Sequence, residues 1–375
     1  MERGKMGKDN KLVKIFHGPQ HPGITGNMSV EIDLDGETIV NSETHVGYLH
    51  RGFEKLVERR TIPQAFTIVC RICVPEPDPN EENFARGIEN LANIEVPVKA
   101  KWIRTMVLEM QRLTAQFLWI AGQGGSLGLY INPQWAVADR DLMLDLYEEL
   151  TGARVYHMYI YPGGVRNDLP VGFLDKLSRL LDYYESRLPE YDRIFFNNAV
   201  FKKRAVGIGI VKPETAIKHG VVGPVLRAAG FKHDVRKYAP YEMYSQVEFD
   251  IPTQRDSDVY ARALVRREEM VQSIRILRQV INKMPKDGPV NVKLKGHRQF
   301  LIPRGETWVR TESSRGEFSY FMASDGTEKL RRMQVKGPSM VHAMSLLPEV
   351  LKGAQLADVA MIMNSLGTCP PEIER

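Results

Sequence analysis

The chain has 375 residues, 43% of them hydrophobic and 26% charged, with a formal net charge of +5. That composition is ordinary for a globular protein large enough to bury a sizeable core in roughly two or three lobes. No run approaches the roughly eighteen apolar residues of a bilayer-spanning helix, and three cysteines in so long a chain point to a reducing compartment rather than a disulfide framework.

Residues 1–12 read as a loose basic tail without the apolar segment of a secretory signal. Residues 13–16 and 28–34 tend to alternate apolar and polar side chains, as half-buried strands do, and Asp35-Gly36 is a hairpin turn into residues 37–40. Between them lies the turn cluster Gly18-Pro19-Gln20-His21-Pro22-Gly23, which puts His21 at the tip of a β-loop.

From Gly52 the pattern turns helical, with Phe53, Leu56 and Val57 on one face. Pro63 interrupts it. Pro75, Pro77 and Pro79 then imply a stiff, loop-like backbone. Residues 99–121 form a strong amphipathic helix, followed by a glycine-rich break over 122–128 without phosphate-loop spacing. Helices are expected over 139–150, 170–188 and 256–284, the last carrying Arg262, Arg266, Arg267, Arg275 and Arg278, which read as a solvated face. Short strands are expected over 290–295, 307–311 and 317–322, and a helical stretch over 341–357. The layout is α+β: a small N-terminal β region (1–50), a mainly α-helical core (51–289), and short C-terminal strands with a final helix and a tail returning to the cavity (290–375). The mild basic charge serves solubility, or alternatively an acidic docking partner. No zinc-finger spacing, G-x-G-x-x-G or Walker loop is present, so neither nucleic acid nor a nucleotide bound by this chain alone is expected.

Two stretches stand out, Cys70-Arg71-Ile72-Cys73-Val74-Pro75-Glu76 and Gly367-Thr368-Cys369-Pro370-Pro371-Glu372. Each has Cys followed three residues later by Glu, and the two pairs line one pocket if the fold joins the chain ends. A single C-x-x-C is at most half a structural zinc site, and scattered cysteines also serve as small buried apolar residues.

Several motifs in one order resemble the 49-kDa (D-type) subunit of respiratory complex I, itself similar to the large subunit of nickel–iron hydrogenases. They are Gly18-Pro19-Gln20-His21-Pro22, His50-Arg51-Gly52-Phe53-Glu54-Lys55-Leu56, Asn93-Ile94-Glu95-Val96-Pro97, Gly223-Pro224-Val225-Leu226-Arg227-Ala228-Ala229-Gly230, Asp234-Val235-Arg236-Lys237, Pro240-Tyr241 and Pro371-Glu372-Ile373-Glu374-Arg375. The resemblance implies a hydrogenase large-subunit-like fold. The departures matter as much. Glu76 and Glu372 stand where hydrogenases carry the cysteines that bridge nickel and iron, and a hard carboxylate replaces a soft thiolate poorly. No nickel–iron centre and no metal are therefore expected. Cys70 falls one step outside the hydrogenase pattern. Quinone-reducing relatives carry a tyrosine after the position of Cys73, and Val74 stands there. Asn80-Glu81 matches the complex I version.

Both absences fit the large subunit of the archaeal membrane-bound sulfane sulfur reductase. That resemblance implies a peripheral subunit on the cytoplasmic face of an ion-pumping membrane complex. This chain would bind no cofactor, and its partners would be a small subunit carrying the cavity-facing iron–sulfur (4Fe-4S) cluster, other peripheral and membrane-arm subunits, and ferredoxin as donor. Polysulfide would be reduced at that cluster, and this chain would supply the cavity walls, with Cys73, Glu76, Cys369, Glu372, His21 and Arg71 lining them and Arg51 a further candidate. Glu76 and Glu372 relay protons if burial raises their pKa; the plainer alternative pairs each with a base such as Arg71. A quinone or phenazine reductase subunit and a non-catalytic scaffold are the other readings.

Overall fold

The computed structural model describes residues 12–21, 27–292 and 300–375. Most of the basic tail, Pro22-Gly23 of the turn cluster and the later part of the strand expected over 290–295 lie outside them; within that strand, Asn291 forms an isolated bridge to Gly164. The chain opens with an antiparallel sheet of β1 (Val13–His17), β2 (Ser29–Asp35) and β3 (Thr38–His45) in sequential order. Gly36, at φ 62°, makes the tight turn between β2 and β3.

Helices α1 (Phe53–Glu58), α2 (Ile62–Val69), α3 (Pro77–Ala92), α4 (Val98–Ser126) and α5 (Ile131–Thr151) follow. Then come the two-residue strands β4 (Ile160–Tyr161) and β5 (Gly164–Val165), α6 (Phe173–Tyr191), α7 (Ala199–Ala205), α8 (Pro213–His219), α9 (Gly223–Ala228), α10 (Val235–Tyr238) and α11 (Val259–Lys283). A second antiparallel sheet, β6 (Gly305–Ser313), β7 (Gly316–Ser324) and β8 (Leu330–Lys336), precedes α12 (Pro338–Met340), α13 (Leu347–Leu351), α14 (Val359–Leu366) and α15 (Pro370–Ile373). This is the α+β layout expected, with a third strand, β8, that the sequence reading did not place.

Four local expectations are corrected. The proline stretch does not stay a loop: Pro77 opens α3, because proline's missing N–H costs nothing in a first helical turn. The glycine-rich break is not a break either. Helix α4 runs on to Ser126, and a Cβ on Gly124 would lie 2.7 Å from the Asn132 Cβ, so the small residue allows α5 to pack close. Nor does α4 have a solvated face: its polar side chains Arg104, Glu109, Arg112 and Gln116 are buried. On α11, Arg267, Arg275 and Arg278 pair with Asp192, Asp250 and Asp182 at the surface, but Arg262 and Arg266 are buried.

Two large hydrophobic cores form among the described residues, besides a small cluster of Ala228, Ala261 and Val265. The larger packs α4, α5, α6, α11 and α14 together with the first sheet. The smaller packs Phe53, Val57, Phe66, Val69, Ile72 and Phe84 of the early helices against Val309, Phe318, Tyr320 and Val335 of the second sheet. Ile72 belongs to the smaller core and Leu366 and Ile373 to the larger. The cysteines beside them therefore meet at the junction of the two. Among the described residues no helix is long and apolar enough to cross a membrane.

Candidate functional site

Four backbone elements converge on this junction. Helix α2 ends at Val69, and a tight turn with hydrogen bonds from Arg71 N to Ile68 O and from Ile72 N to Val69 O leads to Cys73. Helix α14 ends at Gly367, whose φ of 71° suits glycine. Cys369 then precedes the short turn of α15, where Glu372 N donates to its carbonyl at 3.1 Å. The β6–β7 turn supplies Ser314 and Arg315, and the start of α12 supplies Ser339.

Cys73 Sγ and Cys369 Sγ lie 3.7 Å apart. The Arg315 guanidinium sits among their neighbours. Its Nη2 donates to Cys73 Sγ at 2.6 Å and lies 2.8 Å from Glu76 Oε2 and 3.2 Å from Glu372 Oε2. The second oxygen of each carboxylate takes a backbone N–H, Ser314 N to Glu76 at 2.6 Å and Ser339 N to Glu372 at 2.9 Å. All five side chains are buried. Gly337 is required beside Glu372, because a Cβ there would collide with the carboxylate.

Burial pushes Cys73 well above the usual thiol range, and its contact with Cys369 adds to this against Arg315. Cys369 is shifted the opposite way: the bond from Cys73 favours its thiolate, opposed by burial and aided by Arg315. Burial also raises Glu372, despite Arg315. Arg315 itself is held well above its ordinary value, because Cys73 and Glu76 outweigh the burial that would lower it.

Beside the thiols opens a cavity of about 380 Å³, within the range of small-molecule sites. Val74, Leu118, Trp119 and Pro371 give it apolar walls, and Cys369, Arg266 and Arg315 also line it. Burial lowers Arg266 to about 10. Its Nη1 donates to Gln116 Oε1 and the Ser314 carbonyl, both at 3.1 Å, while Nε and Nη2 have no hydrogen-bond acceptor among the described residues. A Cβ on Gly367 would lie 2.5 Å from Arg266 Nη2, so this glycine is what admits the guanidinium.

The turn bearing Arg315 is held by a buried ionic network. Arg112 Nη1 donates to the Ser313 carbonyl at 2.9 Å. Gln116 bonds Glu269, which pairs with Arg227 at 2.6 Å; Arg227 also pairs with Glu312 at 2.8 Å. Asp234 bridges Arg227 and Arg236, and Arg236 reaches Glu109 at 2.9 Å. Gly223, at φ 68°, leaves room for the Arg315 carbonyl, where any Cβ would collide. Motifs that carried the resemblance, Gly223–Ala228 and Asp234 to Lys237, thus act here as the frame of the β6–β7 turn.

Of the residues named from sequence, Cys73, Glu76, Cys369 and Glu372 come together. Arg71 does not join them. Its guanidinium contacts Thr67 O, Cys70 Sγ and the Tyr156 ring; the base that pairs with both glutamates is Arg315, from a distant turn. Arg51 contacts the Arg71 carbonyl at 3.2 Å rather than the cluster. The His21 ring lies tilted against that of His17, with centroids 3.9 Å apart, beyond the end of β1. Cys70 is also apart: its thiol donates to Thr67 O, and burial pushes it up to about 12. Asn80 and Glu81 are structural, Asn80 accepting from Tyr320 and Glu81 accepting the backbone N–H groups of Met158, Tyr159 and Ile160. Sequence reasoning missed Arg315 and Arg266. The one trace of Arg315 is an arginine beside a glycine in a hairpin turn; Arg266 was indistinguishable from its solvated neighbours.

Cys73, Cys369 and Glu372 offer ligand atoms within 4.8 Å of one another, a set that a divalent ion accepts. Arg315, however, already places a cation among them. Two soft thiols, hard carboxylates and a guanidinium do not match a nickel–iron donor set.

Comparison with known proteins gives the family and the fold. The family described as "Respiratory-chain NADH dehydrogenase, 49 Kd subunit" matches residues 127–298 and 295–375. The chain is 44% identical to the D-type subunit of NADH-quinone oxidoreductase from Thermosipho melanesiensis, over 97% of its length and 99% of the relative's. It is 35% identical to the D-type subunit of F(420)H(2) dehydrogenase from Methanosarcina mazei, covering 99% of this chain and 100% of the other. Among solved structures, a chain of the membrane-bound sulfane sulfur reductase, an archaeal respiratory membrane complex, superposes with a TM-score of 0.95 at 42% identity, over 98% of this chain and 100% of that one.

Proposed function

Because this chain belongs to the 49-kDa subunit family of respiratory-chain NADH dehydrogenases, we propose that it forms the acceptor cavity in the peripheral arm of a membrane-bound respiratory oxidoreductase, and that the acceptor is polysulfide or another sulfane sulfur. Electrons from ferredoxin reach the cavity through 4Fe-4S clusters of partner subunits, the nearest in a small subunit against this chain. The complex works at the cytoplasmic face of the membrane, coupled to ion pumping in the membrane arm. The chain itself supplies walls and charge.

The observation that carries this reading is the wall chemistry. An apolar cavity presents one thiol, Cys369, backed by Cys73 at 3.7 Å, and two guanidinium groups, Arg266 and Arg315. Apolar walls and sulfur suit a soft, polarisable chain, and the arginines suit its negative charge. Val74, 42% exposed at the cavity, offers no hydrogen-bond donor to a quinone carbonyl. Arg315 takes the place of a metal, so neither a nickel–iron centre nor hydrogenase activity is proposed.

The quinone reading has its own support in the name of the Thermosipho relative. The purified complex, given reduced ferredoxin, separates the two. Hydrosulfide release from tetrasulfide with negligible reduction of soluble quinone supports the sulfur reading. The reverse result rejects it. Elemental analysis of the same preparation should find iron and only traces of nickel; nickel near one atom per chain would overturn the metal-free site.

A further inference from the structure

We propose that Arg266 and Thr368 form an anion-binding subsite in the cavity wall, which holds one charged end of a polysulfide dianion and makes the site prefer anionic sulfur chains to neutral ones. The inference rests on the sulfane sulfur reading above and says how the acceptor is held. The subsite binds without reacting, and the electrons still come from the partner subunit's cluster.

The charges around the cavity do not balance without a ligand. Arg315 needs no further anion, because Glu76 and Glu372 lie 2.8 and 3.2 Å from its Nη2. Arg266 lines the same cavity, is 2% exposed, and forms no ion pair among the described residues. The carboxylates whose fields reach it, Glu269 and Glu76, are engaged by Arg227 at 2.6 Å and by Arg315. A buried cation without a counter-ion is costly to the fold. Burial lowers Arg266 only to about 10, so it stays charged at neutral pH. The missing counter-ion is supplied by an anion that enters the cavity.

The open donors agree with this. Arg266 Nε and Nη2 have no acceptor among the described residues. Nor does the Thr368 hydroxyl have a partner there, although Thr368 is 4% exposed and lines the cavity. Gly367 brings the two together: it precedes Thr368, and a Cβ on it would lie 2.5 Å from Arg266 Nη2. The guanidinium is fixed before a ligand arrives. Gln116 Oε1 holds its Nη1 at 3.1 Å, and Glu269 holds Gln116 at 3.0 Å. The Trp119 ring centroid lies 5.1 Å from Arg266 Cζ, and the indole is itself tied to the Asn364 carbonyl at 3.0 Å. Groups held in this way lose little freedom on binding. A dianionic sulfur chain takes charge-assisted bonds at its end and apolar contact along its middle from Val74, Leu118 and Pro371. A neutral chain gains only the apolar contact and leaves the arginine unpaired.

The test gives two acceptors to the whole purified complex with reduced ferredoxin: sodium tetrasulfide, a dianion at mildly alkaline pH, and neutral diethyl trisulfide. Arg266→Gln should raise KM for tetrasulfide about 10- to 100-fold, as loss of hydrogen bonds to a charged group does, with kcat changed far less. The ratio of kcat/KM for tetrasulfide to that for diethyl trisulfide should fall by about the same factor. Arg266→Lys, which keeps the charge, should recover part of the loss. Thr368→Val, nearly equal in shape, should raise KM for tetrasulfide about 3- to 10-fold, and carries the test if loss of the guanidinium disturbs assembly. A packing defect would lower turnover of both acceptors and leave their ratio in place. An unchanged ratio and an unchanged KM for tetrasulfide in the assembled variants overturn the subsite, while hydrosulfide release from tetrasulfide by the wild type leaves the acceptor reading standing. Absence of that release in the wild type overturns the acceptor reading, and the subsite with it.

Discussion

Replacing Arg315 with glutamine removes the one cation among the described residues that pairs with both Glu76 and Glu372. Glu372 is already pushed towards its neutral form by burial, but the pair together still holds negative charge that the guanidinium offsets. Without it, one carboxyl must take up a proton to stay buried. An unfolded glutamate titrates near 4.3, so keeping it protonated at about pH 7 costs roughly 1.4 kcal/mol per pH unit, or about 3.7 kcal/mol. That agrees with the 3–5 kcal/mol typical of breaking a buried pair, and corresponds to a fall in melting temperature on the order of 10 °C. The sign with pH follows. A folded carboxyl with a raised pKa binds more protons than the unfolded one, so stability falls as pH rises above about 4.3. The variant should therefore lie closest to the wild type near about pH 4.3, and lose about 2.7 kcal/mol between about pH 5.5 and about pH 7.5. Thermal melting of the purified complex, with limited proteolysis reporting on this chain, measures both. Adding Glu76→Gln and Glu372→Gln to the arginine variant should recover much of the loss and flatten the pH dependence, since the uncompensated charge is gone. An arginine variant as stable as the wild type, with no extra pH slope, would refute the placement of Arg315 as their shared counter-ion.

Gly367→Ala should strain a backbone held at φ 71° and push its Cβ into Arg266 Nη2. A cost of about 1–3 kcal/mol and a raised KM for the acceptor are expected, read by melting and by initial-rate kinetics. A KM and melting temperature equal to wild type would show that Arg266 has another resting place. Asp234→Asn breaks the bridge between Arg227 and Arg236. Burial acts to raise Asp234, but Arg236 and Arg227 outweigh it and hold its carboxyl well below the usual range. The stabilisation is therefore present above about pH 3.9 and lost as pH falls through the lower folded value. The variant should be about 3–5 kcal/mol less stable at neutral pH, with the gap closing under acid. Denaturant unfolding across that range tests this, and a gap that widens in acid would contradict the assignment.

The two Cys/Glu pairs were legible in the chain because their spacing is local and each lies beside a turn marked by glycine or proline. Long helices such as α4 and α11 were legible too, since apolar periodicity survives whatever they pack against. The fate of their polar faces was not. A polar stripe reads alike whether it meets water or another stripe of opposite charge, and on α4 it meets Arg236 and Glu269 from segments more than a hundred residues away. Pro77 and Pro79 read as a loop because proline's cost depends on its position in the first turn, which the start of α3 fixes. Sequence alone determined the donor types of the site and its departure from a bridging-thiolate pattern. Tertiary structure decided that Arg315, 242 residues from Cys73, closes the charge balance, and that Cys369 faces the cavity while Cys73 lies behind. The reason is physical: a buried charge is defined by its partners in space, and neither hydrophobic period nor motif spacing records who those partners are.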